Sequence, residues 1–318
     1  MGDVLLLTDE VASRRRDELL RLAPDLELLE LVGDAEFSEE QLASITHAFF
    51  SADTWPNRST PFLRACLAAP NLRWFQSFSA GGDHPVFGRF ADRGVEVLFT
   101  PGGSAPSIAQ TVMMMVLALV RGLPEMLEAQ RRKEWTPTET RDLGDVSVGI
   151  IGMGSIGAEV ARLIGVTGAD VVGVRRTPTG TEPCETWSDE RRDVLISRSD
   201  VVVLCMPLTD ATRQSIGKLE FAMMRPGTIV INVGRGECVD ESALIDALNS
   251  GHLAGAGLDV FATEPLPDDS PLWTMPRVIV SPHSSGLTNR SLRRAEDAFV
   301  ANLAQTLRAE ANDISATP

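Results

Sequence analysis

The stretch Val148-Gly149-Ile150-Ile151-Gly152-Met153-Gly154-Ser155-Ile156-Gly157 decides how this 318-residue chain folds. Val148–Gly152 reads as a short apolar strand and Ser155–Gly165 as a helix. In that helix Ile156, Val160, Leu163 and Ile164 recur at i, i+4, i+7 and i+8, so one face is apolar. A second β run, Val171–Val174, follows. The glycines fit G-x-G-x-x-G, and strand, turn, helix and strand in this order are the setting in which that pattern binds a dinucleotide. Gly152 permits the tight turn, Gly154 lets backbone approach a pyrophosphate, and Gly157 lets helix pack on strand. The helix N-terminus then faces the phosphates.

At the end of the second strand an acid would hold the ribose 2′-hydroxyl of NAD. The chain has Arg175, Arg176 and Thr177 there instead. Guanidinium groups bind phosphate through paired, charge-assisted hydrogen bonds. The cofactor expected is therefore NADP(H), held by its 2′-phosphate, with NAD(H) use left open.

Three downstream segments pair a strand end with a polar side chain, which is where open α/β sheets place their ligands. Ile231-Asn232-Val233-Gly234-Arg235-Gly236 offers an arginine suited to clamp a carboxylate or polarise a carbonyl. Gly257-Leu258-Asp259-Val260-Phe261-Ala262-Thr263-Glu264-Pro265 offers one acid at the strand end and another five residues on. Val280-Ser281-Pro282-His283-Ser284-Ser285-Gly286 puts a histidine just past a strand, and histidine is the usual proton donor near neutral pH. A nearby carboxylate would orient its ring and favour the imidazolium. Taken singly these fit a structural arginine, a turn acid and a loop histidine. Together, in one Rossmann-like half, they read as a site.

Outward from this half, β runs are expected at Val201–Met206, Thr228–Val233, Ala256–Val260 and Val278–Ser281. The first hundred residues alternate strands (Val4–Thr8, Leu26–Leu31, Ala48–Ser51, Leu72–Gln76, Val95–Phe99) with helices at Arg14–Leu22 and Glu39–Ile45. Such alternation implies a parallel sheet covered on both faces. Ala105–Val120 reads as a long buried helix, and Asn289–Leu307 as a last helix packing back on the first domain. The fold class expected is α/β, with two Rossmann-like, doubly wound parallel-sheet domains and a cleft between them. Residues 1–103, completed by 284–318, form a flavodoxin-like substrate domain; residues 104–283 form the dinucleotide-binding domain.

Lys and Arg total 29 against 44 Asp and Glu, a net charge of −15. Nucleic acid and anionic membranes both require a basic face, so neither is expected as a partner. The cysteines (Cys66, Cys184, Cys205, Cys238) form no C-x-x-C, so no metal and no disulfide framework is expected. There is no tyrosine, so no proton step can use a phenol. The N-terminus lacks the basic start of a signal peptide. The longest apolar run, Val112–Val120, falls short of the roughly 18–20 residues that span a bilayer. A cytoplasmic setting is expected.

The segments GMGSIG, INVGRG, GLDVFATEP and SPHSSGLT, in this order, resemble the D-isomer-specific 2-hydroxyacid dehydrogenase family. Within it the chain looks most similar to the glyoxylate/hydroxypyruvate reductases, and the likeness runs from about Leu72 to the last helix. The resemblance implies hydride transfer between NADP(H) and a small 2-oxo acid or D-2-hydroxy acid. Arg235 would bind the substrate's carboxylate and ketone, His283 would be the general acid and base, and Glu264 would hold His283 protonated. Asp259 would meet the nicotinamide carboxamide. Ser155 and Ile156 would give backbone amides to the pyrophosphate, Met206 and Pro207 would line the adenine side, and Val233 joins the cofactor residues. Ser79-Ala80-Gly81-Gly82-Asp83 resembles the family's substrate loop, where Ala80 and Gly81 would donate backbone N–H groups to the carboxylate. His84 follows that loop. Gln110, Gly234 and Gly82 depart from the family's usual residues and leave substrate fit open. The resemblance also implies a homodimer through the cofactor domain. Two other readings stay open: a phosphite-type dehydrogenase of the same family, and a non-enzymatic NAD(H)-sensing protein like its corepressors.

Overall fold

The computed structural model describes residues 2–315 apart from positions 56, 80, 83, 84 and 101, with side chains described as far as 310. The chain forms two compact units, Met1–Ser104 with Leu287–Pro318, and Ala105–Gly286.

The first unit holds a five-stranded parallel sheet of β1 (Val4–Thr8), β2 (Glu27–Leu31), β3 (His47–Phe50), β4 (Trp74–Ser77) and β5 (Glu96–Leu98). Their order, β2-β1-β3-β4-β5, is that of flavodoxin-like sheets. Every residue of β1 is buried, as an apolar run covered on both faces requires. Leu5 sits opposite Leu28 on one side and His47 on the other. The helix Asn289–Ser315 closes this unit. Its Phe299 ring stacks on Phe49, centroids 4.0 Å apart, beside Trp74. Its buried Glu296 takes Arg14 Nη2 at 2.7 Å and Arg15 Nε at 2.9 Å. Those contacts explain why the chain returns to its starting unit.

The second unit holds seven parallel strands: β6 (Ser147–Ile151), β7 (Asp170–Arg175), β8 (Glu185–Ser188), β9 (Val201–Leu204), β10 (Thr228–Asn232), β11 (Leu253–Leu258) and β12 (Val278–Val280). The order β12-β11-β10-β9-β6-β7-β8 is the Rossmann order extended by one strand. The helix Ala105–Val120 belongs to this unit and buries Ile108, Val112, Met115 and Val116 in a cluster with Val148, Ile150 and Ile231. Close approach here depends on Gly257, where a Cβ would lie 2.8 Å from Met115 Sδ.

Strand β8 departs from the sequence reading, which placed no strand between Val174 and Val201. It is a four-residue edge strand, Glu-Thr-Trp-Ser, whose one large apolar side chain, Trp187, is buried in the core cluster with Val172, Val174 and Leu195. Four residues are too few for alternation to stand out. Among the described residues no single helix is long and apolar enough to cross a membrane.

Candidate active site

Because the second sheet is wholly parallel, its C-terminal strand ends share one edge. In sheet order that edge carries His283 beyond β12, Asp259 beyond β11, Arg235 beyond β10, Met206 beyond β9, Gly152 beyond β6 and Arg175 at the end of β7. The strand order reverses between β9 and β6, which is where such sheets bind ligands.

The three glycines of the fingerprint differ in what requires them. Gly152 has φ of +101°, and a Cβ there would lie 2.7 Å from the Cys205 carbonyl carbon and the Met206 nitrogen. A Cβ on Gly157 would lie 2.2 Å from the Gly152 carbonyl oxygen. Gly154 is exposed, and a Cβ there would meet nothing within 4 Å. Packing thus demands the first and third glycines, while the second stays bare toward solvent. The helix that follows, Ser155–Gly165, has no side-chain cap. Its first helical hydrogen bond is Ala158 N to Gly154 O at 2.9 Å, so the amides of Ser155 and Ile156 precede the ladder. An uncapped helix start behind an open glycine fits a pyrophosphate. Met206 and Val233 bury their side chains in the core, while Pro207 is exposed.

Arg235 sits in a turn that glycine makes possible. A Cβ on Gly234 would lie 2.7 Å from Met206 O, and one on Gly236 would lie 1.9 Å from the Phe261 carbonyl carbon. Asn232 pins the turn, donating Nδ2 to Arg235 O at 3.0 Å and accepting from Gly234 N at 3.1 Å. Arg235 Nη1 donates to Gly234 O at 2.7 Å.

His283 Nδ1 lies 2.7 Å from Glu264 Oε2, and the other carboxylate oxygen accepts from Phe261 N at 3.0 Å. The hydrogen bond to Glu264 holds His283 above the ordinary histidine value, against the pull of burial and of Arg235. Burial pushes Glu264 up, but its hydrogen bond to the ring and the ring's charge win and hold it below the usual carboxylate range. Both shifts favour the charged pair, imidazolium with carboxylate, over the neutral one. Among the described residues Nε2 meets no partner, so it is the ring atom left to exchange a proton.

Asp259 has a structural task that the sequence did not reveal. The residue is 1% exposed and its carboxylate is gripped by the His283 turn. Oδ1 accepts from Ser281 Oγ at 2.5 Å, Ser284 N at 3.0 Å and Ser285 N at 3.1 Å. Oδ2 accepts from Ser285 Oγ and from its amide. His283 N also donates to Asp259 O at 2.8 Å. This grip holds His283 at φ +49°, a left-handed conformation that costs a non-glycine residue free energy. The three serines were visible in SPHSSG, but nothing in their spacing marked them as ligands of an acid on the neighbouring strand.

At the end of β7, Arg175 pairs with Glu182 at 2.9 Å, while Arg176 and Thr177 are exposed. Glu182 escaped the sequence reading, because no spacing rule links a strand-end arginine to an acid seven residues along a loop. In the first unit, Ser79 Oγ donates to Gly81 O at 2.9 Å and lies 2.8 Å from Ser77 Oγ. A Cβ on Gly82 would lie 2.3 Å from the Phe99 ring, so a larger residue there requires that ring to shift. Ala80 and His84 lie outside the described residues.

Residues 113–285 match the model of the D-isomer specific 2-hydroxyacid dehydrogenase family's NAD-binding domain. Glyoxylate/hydroxypyruvate reductase B of Enterobacter sp. strain 638 is 36% identical over 276 residues, covering 84% of this chain and 85% of its own. A D-isomer specific 2-hydroxyacid dehydrogenase from Xanthobacter autotrophicus Py2, solved in complex with NADPH and MES, superposes with a TM-score of 0.78 at 30% identity, over 97% of this chain and 95% of that one. An NADPH-dependent glyoxylate/hydroxypyruvate reductase from Sinorhizobium meliloti, in complex with NADP and sulfate, superposes with a TM-score of 0.79 at 28% identity, over 98% and 96%.

Proposed function

Because the chain belongs to the D-isomer-specific 2-hydroxyacid dehydrogenase family, we propose that it reduces a small 2-oxo acid of the glyoxylate/hydroxypyruvate class with NADPH. The observation that carries the reading is the His283–Glu264 ion pair lying on the same strand-end edge as Arg235 and the open Gly154. The net reaction is 2-oxo acid plus NADPH plus a proton giving the 2-hydroxy acid and NADP+.

When bound, the nicotinamide supplies the hydride. Arg235 takes the acid's carboxylate and polarises its ketone. His283 gives the proton on Nε2 to the carbonyl oxygen as charge develops there, and Glu264 on Nδ1 keeps the ring charged until then. Asp259 and the serine turn keep the ring in place. Arg175, Arg176 and Thr177 take the 2′-phosphate, and the Xanthobacter and Sinorhizobium relatives, which hold NADPH and NADP, support that choice. The resemblance of the Ser79–Asp83 loop to the family's substrate loop supports Ala80 and Gly81 as donors of backbone N–H groups to the carboxylate. A spectrophotometric screen of glyoxylate, hydroxypyruvate, pyruvate and bulkier 2-oxo acids, each with NADPH and NADH, tests this. The highest kcat/KM is expected for a small acid with NADPH. A tenfold preference for NADH, or turnover with none of them, overturns it.

Reduction needs the imidazolium. The value of His283 is raised, so its proton persists above the ordinary value of about 6.5 and is lost as pH climbs through the raised one. Reductive kcat/KM should fall over that window, and oxidative kcat/KM should rise over it. Glu264→Gln keeps an acceptor for Phe261 N but removes the charge, so the fall should move to lower pH. An alkaline limb that stays where it is in that variant removes Glu264 from the role.

A second copy of the chain is the proposed partner. Met114, Leu117, Leu123, Met126 and Leu127 expose apolar surface on the helices Ala105–Val120 and Leu123–Arg132, and Trp135 beyond them is 98% exposed. Several large apolar side chains exposed on two consecutive helices support an interaction surface there. Sedimentation should give a dimer, and Met126→Glu with Leu127→Glu should give monomers; a monomeric parent chain sinks the proposal. The four unpaired cysteines support a reducing, cytoplasmic setting.

A further inference from the structure

We infer that Glu182 is a specificity-determining residue which weakens the attraction of the β7 loop for a 2′-phosphate and so limits the preference for NADP(H). The inference rests on the reading that Arg175 and Arg176 take that phosphate, and it deepens it.

The loop after β7 folds around its own acid. Oε1 of Glu182 accepts from Thr179 N at 2.8 Å, Thr179 Oγ1 at 2.8 Å and Arg175 Nη1 at 2.9 Å. Oε2 accepts from Gly180 N at 2.9 Å. The side chain is only 5% exposed. These hydrogen bonds, the Thr179 amide first, hold its value down to about 2, so it stays ionised at any working pH. A carboxylate so enclosed does not present itself to a ribose hydroxyl. It differs in this from the exposed strand-end acid that reads NAD. Its action on a cofactor is through charge.

The two arginines are therefore unequal. Arg175 is already neutralised by its partner, whereas Arg176 is exposed and makes no ion pair or side-chain hydrogen bond among the described residues. Two cations and one fixed anion leave the loop with a single net positive charge to offer a group that carries nearly two negative ones. Like charges close to one another, one of them largely out of water, are screened only in part. The acid thus favours the loop's own order and opposes the phosphate. Binding of NADP(H) is weaker than the arginine pair alone would give, and NAD(H), with no 2′-phosphate, is untouched.

Isothermal titration of the full chain with 2′,5′-ADP, 5′-AMP, NADPH and NADH reads this directly, without turnover. Glu182→Gln keeps the shape and one oxygen for Thr179 and Arg175, gives up the acceptor for Gly180 N, and removes the charge. It is expected to tighten 2′,5′-ADP and NADPH by roughly three- to tenfold, to leave 5′-AMP and NADH unchanged, and to steepen the loss of 2′,5′-ADP binding with salt. Unchanged or weaker 2′,5′-ADP binding, in a chain where Arg175→Ala and Arg176→Ala each weaken it, overturns the inference and leaves the arginine reading standing. If neither arginine variant changes 2′,5′-ADP binding, the arginine reading falls and the inference with it. Should Glu182→Gln fail to fold, Thr181→Arg adds a positive charge beside Glu182 and leaves the acid's hydrogen bonds in place. It is expected to give the same gain, and no gain there overturns the inference.

Discussion

Replacing His283 with alanine is expected to lower kcat for 2-oxo acid reduction by about 10²–10⁴-fold, the usual worth of a positioned general acid. The loss should fall on kcat, because the proton is needed when charge develops on the carbonyl oxygen and not when the acid binds. His283→Asn is the companion variant. His283 is held at φ +49°, and asparagine tolerates that left-handed conformation better than most residues. It preserves the amide that donates to Asp259 O at 2.8 Å and so the turn, yet it supplies no proton. Both variants should bind NADPH as the parent does. Turnover within tenfold of the parent in either one would falsify the proton-transfer role.

Arg235→Ala is expected to lower kcat/KM by roughly 10²–10⁴-fold. Two charge-assisted hydrogen bonds to the acid, at about 1.5–3 kcal/mol each, account for that range. Arg235→Lys should recover little of it, since an ammonium cannot reproduce the planar two-pronged grip. The defect should be large for every 2-oxo acid and absent from the equilibrium binding of NADPH, which separates it from general damage. The arginine also lowers the neighbouring histidine's value, so its removal should move the alkaline limb of the pH profile to higher pH. A kcat/KM within a few-fold of the parent would assign the carboxylate to another residue.

What the residues announced in advance follows from how local the signal was. Gly152, Gly154 and Gly157 lie within one turn of a strand whose apolar run is unbroken, so a short window contained the whole argument. Arg235 and His283 each stand just past such a run and Glu264 in the turn beyond one, and parallel strands bring their C-terminal ends together without further information. Legibility ended where partners are held by tertiary geometry. Asp259 stood at a strand end like the others, yet its carboxylate faces inward to Ser281, Ser284 and Ser285. Glu182 meets Arg175 only because the loop between them folds back. Strand β8 owes its place to Trp187 filling the sheet's edge, with Arg191 over the indole ring at 3.6 Å from its centroid. None of these is written in a period or a spacing.

Gly236 carries a consequence for how this site can evolve or be redesigned. Its backbone lies so close to Phe261 that a methyl group would fall 1.9 Å from the carbonyl carbon there. The arginine turn and the acid-bearing turn are thereby coupled mechanically, and a shift in one must be followed by the other. Retuning this enzyme toward a bulkier acid by moving the arginine would also drag Glu264, and with it the proton donor. New specificity should then be selected in residues that leave this contact alone, and alanine at position 236 should be lethal to catalysis for every substrate alike.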